Sequence, residues 1–174
     1  MLDFEDKYFD LDFLSEDENN NKEKRESKYS LLVVDDDDEV HKITDLILES
    51  FNFEGEKLKV FHTYSERETI EFLKKENENI SIILLDVVME NDHSGLNVVE
   101  YIRNDLKNNL VRIILRTGQP GKAPEDDVIM NYDINDYKSK TELTVQKLYT
   151  ALYSSLRAYR DLINIKEKYE DKQR

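Results

Sequence analysis

The chain has 174 residues, with 25 Lys+Arg against 39 Asp+Glu for a formal charge of -14. That length suits one domain with appendages, and so acidic a surface repels a phosphate backbone, which argues against direct nucleic-acid binding. There is no cysteine, which excludes disulfides, zinc-thiolate and iron-sulfur sites and thiol catalysis together. The longest apolar runs, Leu31 to Val34 and Ile80 to Leu85, fall far short of the roughly 20 residues of a membrane helix. Met1 to Asp6 has no basic region ahead of an apolar stretch, so it is not a secretory signal. A soluble, cytoplasmic protein with no membrane partner is expected.

Residues 1–28 carry ten acids, five bases and an asparagine run, Asn19 to Asn21, and read as an acidic flexible N-terminal tail. Their first half mixes acids with Phe4, Tyr8, Phe9, Leu11, Phe13 and Leu14, a pattern also found in docking segments. From Tyr29 short apolar runs alternate with helical patterns, the texture of a parallel sheet built from strand-helix units. Leu31 to Val34 is the first strand, followed by an acidic turn, Asp35 to Asp38, and a helix spaced on Val40, Ile43, Ile47 and Phe51. Leu58 to Phe61 alternates like an edge strand, and Ser65-Glu66-Arg67-Glu68 is a capping box opening the next helix. Ile80 to Leu85 reads as a central strand buried on both faces and ends at Asp86. A loop to Ser94 leads into a helix on Leu96, Val99, Ile102 and Leu106, then the strand Val111 to Leu115. Thr117-Gly118-Gln119-Pro120-Gly121 breaks that strand; Pro124 to Asn131 is a short helix, Asp136 to Lys138 a fifth strand, and a long helix runs from Thr144. The expected division is a domain over 29–155 and a helical extension or linker over 156–174.

The strand ends share one chemical theme. Asp35 and Asp36 follow the first strand, Asp86 the third, Thr117 the fourth and Lys140 the fifth. Ligands of open parallel sheets collect at that edge, and with strand order 2-1-3-4-5 the three carboxylates converge at the switch point. Carboxylates so close repel unless a hard divalent cation such as Mg2+ joins them. Asp86 could then accept a phosphoryl group while Lys140 and Thr117 meet its oxygens.

These residues resemble the receiver domain of two-component response regulators. Val33-Val34-Asp35-Asp36 is similar to the family's acidic pair, Leu84-Leu85-Asp86-Val87-Val88-Met89 to its phosphoacceptor strand, Arg116-Thr117-Gly118 to its switch threonine, and Tyr137-Lys138-Ser139-Lys140 to its switch aromatic and lysine. The resemblance implies a flavodoxin-like, doubly wound α/β fold whose five-stranded parallel sheet has the order 2-1-3-4-5, extended by the C-terminal helix. It implies that a sensor histidine kinase or phosphotransfer protein phosphorylates Asp86, and that the chain is a switch and not an enzyme. It further implies that Asp36, Asp86 and the carbonyl of Val88 ligate Mg2+ directly, that Asp35 acts mainly through water, and that Thr117 and Tyr137 carry the readout.

Three features depart from the family pattern. The loop Met89 to Gly95 lacks the usual proline and is one residue longer. Thr141 stands where a proline, commonly after a cis bond, is expected; a cis bond before threonine would cost about 2.5 to 4 kcal/mol, so the strain is retained or the Lys140 loop is rebuilt. Arg116 to Gly121 is an unusual loop and, with Leu84 to Glu90 and Asp133 to Lys138, resembles receivers that precede cyclic-di-GMP phosphodiesterase outputs of the HD-GYP type.

Other functions compete. A Mg-dependent phosphohydrolase with an Asp nucleophile would need Asp-x-Asp, but Val88 stands two residues after Asp86. A phosphorylation-independent interaction module is the third option. Asp37 and Asp38 read as helix-capping acids, His41, His62 and His93 have no paired ligand spacing, and Tyr137 or Lys140 could be ordinary packing or surface residues. The last helix, through Tyr159, Leu162, Ile163 and Tyr169, is expected to outrun the domain and support a homodimer.

Overall fold

The computed structural model describes residues 27–118, 125–141 and 143–173. The expected N-terminal tail lies outside the described residues except for Ser27 and Lys28, as do Gln119 to Pro124 and Glu142. Five strands form one parallel sheet in the order β2-β1-β3-β4-β5. They are β1 (Ser30–Val34), β2 (Lys59–Thr63), β3 (Ile82–Asp86), β4 (Arg112–Thr117) and β5 (Asp136–Ser139). The helices between and after them are α1 (Asp38–Leu48), α2 (Glu66–Glu76), α3 (Ser94–Glu100), α4 (Glu125–Asn131) and α5 (Val145–Gln173). A π-helical stretch, Tyr101–Asp105, continues α3.

The sheet is central because β1 and β3 are apolar without alternation and therefore must be covered on both faces. Leu32, Val34, Ile83, Leu85, Ile113 and Leu115 point to one side, against Leu73 of α2, Leu96 and Val99 of α3, and Val128 of α4. Leu31, Val33, Ile82, Leu84 and Ile114 point to the other, against Leu48 of α1 and Leu148, Leu152 and Leu156 of α5. Period-two alternation carries this division into the functional edge, where it separates neighbouring residues of β4.

Several boundaries differ from expectation. β2 runs on to Thr63, whose hydroxyl is buried against Thr69, and β4 runs on through Arg116 and Thr117 because both continue the pairing with their neighbours. Helix α1 turns only part of its Val40-Ile43-Ile47-Phe51 stripe inward: Ile47 packs against the core and Phe51, just past the helix, is buried, but within the helix His41, Thr44 and Leu48 are the buried residues while Ile43 is 56% exposed. The reason is polar, since His41 Nε2 meets the Asp35 carbonyl at 2.8 Å and Thr44 Oγ1 donates to the Val40 carbonyl at 2.6 Å. At the start of α2, Ser65 accepts from the Glu68 N–H at 3.1 Å, but Glu68 accepts from Tyr64 N–H at 2.8 Å, one residue before the position of the standard reciprocal box.

Helix α5 crosses the sheet and continues. Tyr149 and Tyr153 tie it to the end of α1 by donating to the carbonyls of Ile47 (2.6 Å) and Asn52 (2.9 Å). Its last fully buried residue is Leu156, and Arg160 then reaches Glu54 at 2.7 Å. At about 1.5 Å per residue its 29 residues span about 43 Å.

Candidate acidic pocket at the carboxyl edge

Asp35 leaves β1 with no exposure, and Asp86 ends the neighbouring β3 with 3%. Adjacent parallel strands diverge to opposite connections here, which opens the crevice both acids occupy. Carboxylate oxygens of Asp35, Asp36 and Asp86 all lie within 4.8 Å of one another, and Asp36 is the exposed member. An all-oxygen, trianionic donor set of this kind fits a small hard cation such as Mg2+. The turn that presents the first two is held by its own caps: Asp35 Oδ1 accepts from Asp37 N–H at 3.1 Å, and Asp37 caps α1 by accepting from Glu39 N–H at 2.9 Å. Asp38 lies in the first turn of α1, where its charge complements the helix dipole.

Lys140 enters from the β5 side. Its Nζ lies 2.8 Å from Asp86 Oδ2 and 2.9 Å from Asp35 Oδ2. Backbone pairing aims it, because Lys140 N–H donates to the Thr117 carbonyl at 2.8 Å. None of the described peptide bonds is cis, so Lys140 reaches both acids with a trans bond to Thr141. Burial holds the Asp86 carboxyl above the ordinary carboxylate range, with Lys140 pulling it down and Asp35 pushing it up. Burial pulls the Lys140 ammonium down, but its bonds to Asp86 and Asp35 more than offset that and leave it raised.

The loop after Asp86 is stabilised locally. Val88 N–H faces Asp86 Oδ1 at 3.4 Å, and Asn91 N–H donates to Ser94 Oγ at 3.2 Å. Gly95 N–H returns to the Val87 carbonyl at 3.0 Å. A Cβ on Gly95 would stand 2.1 Å from the Asp86 carbonyl oxygen and 2.7 Å from Val87 Cα, so only glycine lets α3 start this close to the acid. Sequence reasoning passed over that glycine, whose only signal is its isolation in a loop with no proline.

Thr117 and Tyr137 lie on the α4 side of the sheet on neighbouring strands, buried to 0% and 5% exposure. Burial, then the nearby Glu125 charge, raises the Tyr137 phenol, while Thr117 lowers it.

Two groups were missed. Arg116, read only as part of an unusual loop, is 4% exposed and sends Nη2 to Asp35 Oδ2 at 3.2 Å. His41 and His62, distant in sequence, face each other through their Nδ1 atoms at 2.8 Å, a contact that needs one proton between them. Their outer nitrogens point to the Asp35 carbonyl and to Asp45 at 3.2 Å, so the pair buttresses the acidic turn. His93 takes no part in it.

A family model for the response regulator receiver domain matches residues 31–153. The 3'3'-cGAMP-specific phosphodiesterase 2 of Vibrio cholerae is 51% identical over 130 residues, which are 75% of this chain and 25% of that protein. The chain thus spans about a quarter of the length of this curated relative. The signal receiver domain of an HD domain-containing protein from Pseudomonas fluorescens superposes with a TM-score of 0.67 at 16% identity, covering 83% of this chain and 98% of that one. A chain of the CheX-CheY-BeF3-Mg complex from Borrelia burgdorferi superposes with a TM-score of 0.59 at 22% identity over 72% of this chain and 87% of that chain. The strand order, the converging acids and the matched span agree, and the chain belongs to the response regulator receiver domain family.

Proposed function

We propose that Asp86 accepts a phosphoryl group from a phosphohistidine of a sensor kinase or phosphotransfer protein and that Asp35, Asp36, Lys140 and Thr117 serve this transfer. The observation that carries it is the bridging ammonium of Lys140, 2.8 and 2.9 Å from two of three clustered carboxylates. An Asp86 oxygen attacks phosphorus in line, the P–N bond breaks, and the imidazole leaves with the electron pair. Lys140 exchanges its bond to Asp86 for one to a phosphoryl oxygen, and the Thr117 hydroxyl turns to another. Asp36, Asp86 and the Val88 carbonyl would hold Mg2+, with Asp35 acting through water; the cation supplies charge neutralisation at the phosphoryl oxygens.

The receiver unit in this reading is 29–155, with 1–28 an acidic appendage and 156–174 a helical extension that pairs with a second copy. The chain acts as a switch and turns over no external substrate of its own. By its likeness to part of the Vibrio phosphodiesterase, the output it controls is of the cyclic-dinucleotide phosphodiesterase class. Among the described residues no helix is long and apolar enough to cross a membrane, which supports a cytoplasmic placement.

Intact-mass measurement after incubation with acetyl phosphate tests the proposal. One phosphoryl group is expected in the wild type with Mg2+, and none without Mg2+ or in Asp86→Asn. Undiminished labelling of the Asn variant would place the acceptor elsewhere.

A further inference from the structure

Arg116 lies beside Asp86 in register on β4, but alternation turns its side chain to the α1 and α5 side, away from Thr117. There it lines a cavity of about 150 Å³ with Val40, Ile47, Leu143 and Leu148. A permanent charge in such surroundings is costly unless paired. Its one ion pair among the described residues runs to Asp35, while its Nε has no hydrogen-bond partner. Asp35 Oδ2 therefore meets two cations, Arg116 at 3.2 Å and Lys140 at 2.9 Å, and Asp35 Oδ1 is engaged by Asp37 N–H.

We infer that Arg116 is a positioning residue that holds Asp35 at the back of the pocket as a fixed counter-charge, keeping it from closing on the cation and setting the affinity of the site for Mg2+. This rests on the reading of Asp35, Asp36 and Asp86 as a cation site. The charge balance gives the arrangement a purpose. Without Arg116, three acids would face Lys140 alone, a trap for divalent ions. With it the bare pocket carries one net negative charge. Once a divalent cation and a doubly charged acyl phosphate at Asp86 are both present, the charges of Asp35, Asp36, Lys140 and Arg116 bring the site to neutrality. Weak metal binding in the resting state and charge matching in the phosphorylated state follow from the same guanidinium.

Calorimetric titration of the full chain with MgCl2 tests this without reference to phosphorylation. Arg116→Met should bind Mg2+ tighter by about tenfold, about 1.4 kcal/mol, and Arg116→Lys should stay near the wild type. Arg116→Gln, which keeps donors but no charge, should follow the Met variant and serves as well if Met leaves the fold unstable by circular dichroism. In an Asp35→Asn background the same Arg116→Met change should move the affinity by less than about threefold. Unchanged or weaker binding in the Met and Gln variants overturns the inference. So does an equal gain with Asp35→Asn, which would show a general field and not a hold on Asp35. A wild type that binds no Mg2+ would instead overturn the cation site itself.

Discussion

The Thr117 and Tyr137 side chains are both buried on one face of the sheet, on neighbouring strands and two register positions apart, opposite Arg116. A turn of the Thr117 hydroxyl toward a phosphoryl oxygen on Asp86 would open space on the face it shares with Tyr137, so the two residues are expected to act as one two-state element. Thr117→Ala should still be phosphorylated but should not reorder the surface built by α4, β5 and the start of α5. Amide spectra with and without beryllofluoride check this: wild-type shifts over residues 125–150 should be absent in the variant. Their persistence would remove Thr117 from the coupling.

Two adjacent acids should behave differently. Asp36 shares the carboxylate cluster, whereas Asp37 caps α1 at 2.9 Å from Glu39 N. Loss of an outer partner of a metal site already costs about 10- to 100-fold in affinity, so Asp36→Ala should weaken Mg2+ binding by at least about tenfold. Asp37→Ala should leave Mg2+ affinity alone and lower stability by about 1 kcal/mol. Calorimetry and urea melts on both variants measure the split.

Gly95→Ala places a methyl 2.1 Å from the Asp86 carbonyl oxygen, a backbone atom with no flexible side chain to yield. The loop must move, and a loss of at least about 3 kcal/mol in urea unfolding is expected. Gly55, with φ +82° and nothing near its Cβ position, provides a contrasting case in which the penalty is conformational and smaller.

Tyr29 gives the chain an alkaline limit. Its ring is buried at the start of β1, its hydroxyl donates to Glu54 at 2.8 Å, and burial followed by that bond pushes its pKa from 10.0 up to about 12. The folded chain holds this proton more tightly than the unfolded chain. The contribution to stability is therefore complete below the unfolded value and is lost as pH rises through the interval up to about 12. Tyr29→Phe should remove this part of the alkaline slope, visible as a difference between the two proteins' urea midpoints across that interval.

The sheet and the acids were legible in the sequence because they depend on local signals. Apolar runs without alternation can only be interior strands, and each is followed by its functional residue. What could not be read depended on neighbours in space. The inward face of α1 is shifted by a bond from His41 to a carbonyl on the preceding turn, so the apolar stripe, right for Ile47 and Phe51, fails at Ile43. Arg116 looks like the polar end of a strand until its register beside Asp86 and its contact with Asp35 are known. The π-helical stretch after α3 left no mark in a spacing that also fits an ordinary helix.

The face that α5 offers to a partner also shifts from the one its apolar spacing suggested. Tyr159 and Ile163 turn back and line a cavity of about 260 Å³ with Ile80, Leu106 and Leu110 of their own domain. Burial raises the Tyr159 phenol, with Ser81 lowering it. The residues along the remaining face are Ala158, half-buried Leu162, Ile165 and Tyr169, with Ile165 52% and Tyr169 68% exposed. Their 4-3-4 spacing is that of a coiled-coil seam. Flanking it, Asp161 and Lys166 occupy the positions that meet between copies in a parallel pair, where opposite charges attract. A parallel dimer is therefore expected, with the two receivers side by side. Light scattering on the full 174-residue chain should give a dimer. Ile165→Lys and a chain cut after Arg157 should be monomeric. Asp161→Lys should weaken the pair by about two- to fivefold at low salt, and adding Lys166→Asp to it should restore the dimer. Dimers that survive Ile165→Lys would move the contact off this seam, and a wild-type monomer with and without beryllofluoride would leave α5 as a lever to an output and not a dimer helix.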